Sequence, residues 1–267
     1  MIKKNITLVP NKNYNHFFAF ITTSCNQSQF IIKNLDSIRM QKYKNYKVYY
    51  VNDGSTDNTE EVLNEYVKKY PDFNIEIINS KERGGPCCAR HMGYMRTNDS
   101  DICVFLDGDD FLIDENVLNI VAEAYDTNNV YATFGTSVFS HNRNTDWQFE
   151  RMINYDRKQK GNYFPHLRTV KSFILKQIPI SYLKDRNNNW FMVTTDIALF
   201  TAVTELCKDK YMFILNRLVI YNVYNRDTNK EDGYHAQKDL MKIRRRNYIE
   251  DIRSMPKLLP YRENKNK

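Results

Sequence analysis

Four times between Phe17 and Leu106 the chain passes through a short apolar stretch, a polar turn and a segment with helical spacing. The apolar stretches are Phe17 to Thr23 (FFAFITT), Lys47 to Val51 (KVYYV), Ile75 to Ile78 (IEII) and Asp101 to Leu106 (DICVFL). They are short and rich in aromatic and β-branched residues, which reads as strands. Phe30, Ile31, Leu35 and Ile38 mark one face of a helix across Gln29 to Gln41. Thr56 or Asp57 caps a second helix that runs to about Tyr70, where Pro71 and Asp72 stop it. Pro86 suits the first position of a third, reaching about Arg96. Asp114 opens a fourth, of about fourteen residues. Strand–helix units in series imply right-handed crossovers. The expected fold class is therefore α/β, a mostly parallel sheet with helices on both faces.

In such a sheet ligands sit beyond the carboxyl ends of the strands. Three polar turns fall on that rim: TSCN, NDGS and DGDD. The last belongs to VFLDGDD, Val104 to Asp110, which places three carboxylates within four positions. Like charges so close repel unless solvent dilutes them or a cation neutralises them. Gly108 allows a sharp turn and a close backbone approach to a ligand. Asp107 and Asp109 are spaced to face one centre, with Asp110 pointing elsewhere. Hard cations such as Mg2+ and Mn2+ prefer carboxylates and phosphate oxygens, so this turn suits a metal that seats a diphosphate. A solvated acidic turn is the plainer reading of DGDD alone; its place beside two other rim turns favours binding. Asn52, Asp53 and Gly54 form a good tight turn on local grounds. A carboxylate there can also accept a hydrogen bond from a pyrimidine imide N–H.

From about Ala132 the rhythm changes. Tyr131 to Phe139 reads as a strand, and Ser140 to Leu167 as a long excursion over the rim. Val170 to Gln177 and Thr194 to Cys207 read as helices, and Tyr211 to Leu215 and Leu218 to Tyr224 as strands. A basic tail from Lys238 carries Arg244, Arg245 and Arg246 in succession. The expectation is a single domain over residues 1–267. Its nucleotide-binding half covers about 1–130, and an acceptor-binding half with a helical tail covers about 131–267.

Four segments in order carry a resemblance: ITTSCNQSQFIIKNLDSIRMQKYKNYKVYYVNDGSTDNT, RGGPCCARHMGY, DICVFLDGDDFL and a weaker FMVTTDIALF. Together they resemble a family 2 glycosyltransferase with the GT-A fold. The resemblance implies a metal-dependent inverting enzyme that moves a sugar from a nucleotide sugar, expected to be a UDP-sugar, to a hydroxyl of a glycan, lipid-linked glycan or protein. By position, Thr23 resembles the residue lining the base pocket and Asp53 the aspartate that reads uracil. Arg90 resembles the arginine near base and phosphate. Asp107 resembles the first acid of the DxD motif, near the ribose, and Asp109 the acid that holds Mn2+ or Mg2+. Asp196 resembles the base that takes the acceptor proton, although an acid in a helix's first turn is also favoured by the dipole alone. His235 lies near the place of a late histidine metal ligand. Asn52 replaces the first acid of the family's Asp-Asp-Gly-Ser, and His91 the asparagine of its Ala-Arg-Asn. Trp147 and Trp190 are read as packing residues, with sugar stacking the alternative.

Composition sets the outer bounds. The chain has 267 residues, 42% hydrophobic and 27% charged, ordinary for a globular protein. No apolar run approaches the roughly 20 residues of a membrane span. The opening MIKKNITLVPNKNYNHFF is interrupted by polar residues, so no signal peptide is expected. That implies a cytoplasmic location, or the host cytoplasm for a viral chain. Five cysteines without a Cys-x-x-Cys pair read as free thiols. The net charge of +7 fits an anionic partner, but an AT-rich coding bias toward Lys and Asn is the stronger reading. No basic motif interleaved with aromatics is present, so nucleic acid is not an expected partner. Nucleotidyl transfer is the second enzymatic reading, but TSCNQSQF lacks the glycine-rich basic loop that cradles a triphosphate. A non-catalytic nucleotide-sugar-binding domain is the third.

Overall fold

The computed structural model describes residues 2–140, 148, 155–158, 163–222 and 238–262, for 238–241 the backbone alone. The elements in chain order are β1 (Ile2–Lys4), β2 (Phe18–Ser24), α1 (Ser28–Arg39), β3 (Tyr46–Asp53), α2 (Thr59–Lys69), β4 (Ile75–Ser80) and α3 (Pro86–Tyr94). They continue with β5 (Ile102–Asp107), β6 (Phe111–Leu112), α4 (Val117–Thr127), β7 (Ala132–Phe139), β8 (Arg168–Lys171) and α5 (Ser172–Leu175). After a 3-10 turn at Ile180–Leu183 come α6 (Thr195–Cys207), β9 (Tyr211–Tyr221) and α7 (Lys238–Ser254).

These strands form a nine-stranded sheet in the order β1-β9-β7-β8-β5-β2-β3-β4, with β6 paired to β9. β2 pairs in parallel with both β3 and β5, and β3 with β4. That is the sheet expected from the four strand–helix units. β8 runs antiparallel between β5 and β7, so the parallel rows on either side of it are joined through one short strand.

Alternation along the central strands supplies two cores. Phe18 and Phe20 of β2 and Val104 and Leu106 of β5 face the layer of α1, α2 and α4. Ala19, Ile21, Cys103 and Phe105 face the layer of α3 and α6. Strands buried on both faces need the continuous apolar runs that DICVFL and FFAFITT display.

Two sequence expectations are corrected here, and one strand is added. Val170 to Gln177 is not one helix: Arg168–Lys171 is the strand β8 and only Ser172–Leu175 turns helically. Thr169 and Val170 are β-branched; Val170 pairs with Cys103 and Ala132, and Thr169 with Val104 and Thr133, which outweighs a helical turn there. Tyr211 to Leu215 and, as far as the described residues go, Leu218 to Tyr221 are not separate strands. They fuse into β9, whose register against β7 shifts between Phe134 and Ser137, and this bulge reads in sequence as a gap. β1 carries no periodic signal in three residues, yet pairs with Met212–Ile214 at the sheet edge.

The five cysteines are free thiols. Among the described residues no helix is long and apolar enough to cross a membrane.

Candidate active site

The three rim turns are tied to one another. The Gly108 amide donates to the Thr23 carbonyl at 3.0 Å, joining the ends of β5 and β2. A Cβ on Gly108 would lie 2.7 Å from the Ser24 Cβ, so only glycine permits this approach. Asn26, at φ 53°, accepts at Oδ1 from the Thr56 amide at 2.7 Å and donates its own amide to Ser55 Oγ at 3.0 Å. Asp57 accepts from the amides of Thr59 and Ser28, so its carboxylate closes a local turn before α2 while fixing the start of α1.

Asp53 is buried at the end of β3 and accepts from the Gly84 and Gly85 amides, each at 2.8 Å. It thus shapes the Gly-Gly turn ahead of α3, where Gly85 sits at φ +84° against Met192. Thr23 is nearly buried beside Asp107 in the β2–β5 ladder. Arg90, on α3, is also buried. It donates from Nη2 to Asp107 Oδ1 at 2.7 Å and from Nη1 to Thr195 Oγ1 at 2.9 Å. The sequence reading put Arg90 against base and phosphate; here its donors face an acid and a hydroxyl of the protein.

At the acidic turn, Asn34 of α1 donates to the Asp107 carbonyl at 3.1 Å and the Asp110 carbonyl at 2.7 Å. Asp110 does not point away from the centre. It lies buried, accepts at Oδ1 from the Asn222 amide at 2.9 Å and places Oδ2 3.5 Å from His166 Nδ1. Asp107, Asp110 and His166 each offer a ligand atom, and these atoms lie within 4.8 Å of one another. Asp109 is half-buried on the same turn. His235 and Trp147 lie outside the described residues. Trp190 packs on His91 and under Lys184.

The electrostatics of the pair differ. Burial raises the Asp107 carboxyl, but the Arg90 guanidinium, with His166 and Arg168, holds it far below the usual carboxylate range. Asp110 is pushed well above that range by burial and by the charges of Asp109 and Asp107. A cation there would relieve both causes. Asp110 Oδ2 is buried and makes no hydrogen bond among the described residues, and two carboxylates with one imidazole suit a divalent ion. The residues present therefore fit a metal.

Asp196 stands in the first turn of α6, its side chain 35% exposed, 3.7 Å from the Arg168 guanidinium. Sequence reasoning missed His166, Arg168, Asn34 and Thr195. The first two lie at and just before β8, where the sequence shows no strand signal; the others stand inside the segments that carry the resemblance, without a role of their own.

Residues 19–186 match the family described as Glycosyl transferase family 2. The chain belongs to this family. The chain is 29% identical over 159 residues to a teichoic acid poly(glycerol phosphate) polymerase of Staphylococcus epidermidis, a match covering 60% of this chain and 20% of that protein. It is 22% identical over 161 residues to the glycosyltransferase GlyG of Streptococcus pneumoniae, covering 60% of this chain and 46% of that one. The chain thus spans less than half the length of these curated relatives. Among solved structures it is similar to the mannosyltransferase PcManGT from Pyrobaculum calidifontis in complex with GDP-Man and Mn2+, with TM-score 0.64 and 19% identity over 93% of this chain and 66% of that one. It is also similar to S. aureus TarS 1-349 in complex with UDP-GlcNAc, with TM-score 0.58 and 15% identity over 77% and 58%. These likenesses show the GT-A fold.

Proposed function

We propose that the chain is a metal-dependent inverting glycosyltransferase that takes a sugar from a UDP-sugar and delivers it to an acceptor hydroxyl. The observation that carries the reading is the convergence of Asp107, Asp110 and His166 at the rim, beside a turn braced to the end of β2 and to α1. Neighbouring folds crystallised with UDP-GlcNAc, and with GDP-Man and Mn2+, support a nucleotide sugar and a divalent cation.

In this reading the cation is held by Asp109 together with the Asp107, Asp110 and His166 donors. When bound it neutralises charge on the departing diphosphate. Asp53 spends two of about four lone-pair sites on Gly84 and Gly85, which leaves room to accept the uracil imide N–H. Thr23 lines the base side, and Arg90 holds Asp107 ionised beside the ribose. Asp196 removes the acceptor proton as the acceptor oxygen bonds to the anomeric carbon. The bond to the diphosphate breaks on the opposite face. The acceptor is a glycan, lipid-linked glycan or protein hydroxyl.

The test is a panel of nucleotide sugars with Mn2+. Release of UDP is expected, abolished by EDTA and by Asp109→Ala with the circular dichroism unchanged. Full EDTA-insensitive turnover by Asp109→Ala, or release of pyrophosphate, would overturn the reading.

A further inference from the structure

The first turn of α6 is held by two buried guanidiniums that come from different elements. Arg90, 5% exposed on α3, bonds Thr195 Oγ1 on one side and Asp107 Oδ1 on the other. Arg168, 4% exposed on β8, faces Asp196 at 3.7 Å. Its own place is set by a 2.8 Å bond from Nε to the Phe164 carbonyl and by the Phe200 ring, 5.2 Å from the guanidinium carbon. Two adjacent residues of one helix, Thr195 and Asp196, are thus each gripped by an arginine. One of those arginines also grips the acidic turn.

Local preference does not aim this helix. Thr194 enters it at φ 56°, a region a threonine rarely adopts, and its hydroxyl donates to the Val193 carbonyl, so it leaves the helix uncapped. A strained entry persists only where surrounding contacts over-determine it. Arg90 is kept in place although its Nε is buried without a hydrogen-bond partner among the described residues. An unmet buried donor is costly, so the two bonds from its other nitrogens must outweigh that loss.

We propose that Arg90 and Arg168 are positioning residues that bracket Asp196. They hold the acceptor-activating carboxylate at a constant distance from the acidic edge that seats the donor. This deepens the glycosyl-transfer reading and rests on it. Attack on the anomeric carbon demands close alignment, and small displacements of a reacting group cost large factors in rate. Donor binding has no such dependence on α6.

The variants are Thr195→Val, which removes the acceptor of Arg90 on α6 and spares the Arg90–Asp107 pair, together with Arg168→Gln and Arg168→Lys. Transfer turnover should fall about tenfold or more in Thr195→Val and Arg168→Gln. In Thr195→Val the donor KM and the dissociation constant for UDP with Mn2+ should stay within about twofold of wild type. Arg168→Lys should recover part of the turnover. Wild-type turnover in either of the first two variants, or turnover and donor affinity falling in step in Thr195→Val, would overturn the bracket. If the wild-type protein itself transfers no sugar from any donor, the glycosyl-transfer reading falls. The bracket is then judged by hydrogen exchange at the Ala198 amide, which bonds the Thr194 carbonyl at 3.1 Å. Faster exchange in both variants upholds it, and an unchanged rate overturns it.

Discussion

At the scale of single residues, backbone geometry and burial decide what may be changed. Gly85 holds φ +84°, and a Cβ there would lie 2.4 Å from the Met192 sulfur. Gly85→Ala is therefore expected to cost about 1–3 kcal/mol, read from the urea midpoint, and to weaken UDP binding by displacing Asp53. His91 is a second such site. Burial, helped by the Lys184 charge, lowers its pKa from 6.5, so the folded protein keeps it neutral while the unfolded chain takes up a proton. The unfolded state then binds more protons below about pH 6.5, and stability falls as pH drops through that value. His91→Asn should flatten this part of the stability–pH curve and leave the curve above pH 7 unchanged. An equal slope in both proteins would refute the assignment. Of these two residues the sequence marked Gly85 as part of a turn and His91 as a departure from a pattern. Neither the collision with Met192 nor the burial could be read there, since both involve residues far along the chain.

At the scale of elements, the acidic turn depends on an uncharged side chain of a neighbouring helix. Asn34 of α1 binds both carbonyls that flank Gly108 and Asp109. Asn34→Ala removes a donor from both carbonyls, leaving the Asp107 carbonyl only the Asp110 amide, and should cost about 1–3 kcal/mol in thermal or urea unfolding. Calorimetry with Mn2+ should show weaker binding in the same variant, whereas a purely local helix residue would leave it unaltered. The strand–helix units of the first half were legible because β2, β3 and β5 are buried on both faces and each helix on one, which imposes distinct periods. β8 was not legible. Its residues Arg168 to Lys171 become a strand only because β5 and β7 present open edges on both sides of it. His166 was lost with it, since nothing next to it in the chain suggests a ligand.

At the scale of the whole molecule, a buried ion pair fastens the tail to the body. Arg157 donates from Nε and Nη2 to both oxygens of Glu205 on α6, and from Nη1 to the Ile252 carbonyl of α7. Glu205 also accepts from the Leu258 amide at 3.0 Å. Arg157→Met would leave Glu205 buried without its charge partner. A loss of about 3–5 kcal/mol is expected in chemical unfolding, with faster proteolysis of the segment after Asp251. If the variant unfolded like wild type, the pair would be dispensable. A replacement of both partners, Arg157→Met with Glu205→Leu, should recover much of the loss, because the cost lies in the orphaned charge.

The sequence alone determined the α/β class, the parallel order of the first strands and the rim of polar turns, because side-chain periodicity and turn chemistry act over a few residues. It also named Asp53, Asp107, Asp109 and Asp196 as the acids to watch. Only the tertiary structure decided which groups meet. Asp110 turns inward to His166, Arg90 faces Asp107 and Thr195 rather than open space, and Arg168 faces Asp196. Each of these meetings joins residues from different strands and helices, and its energy depends on burial and charge that exist only once the sheet has assembled.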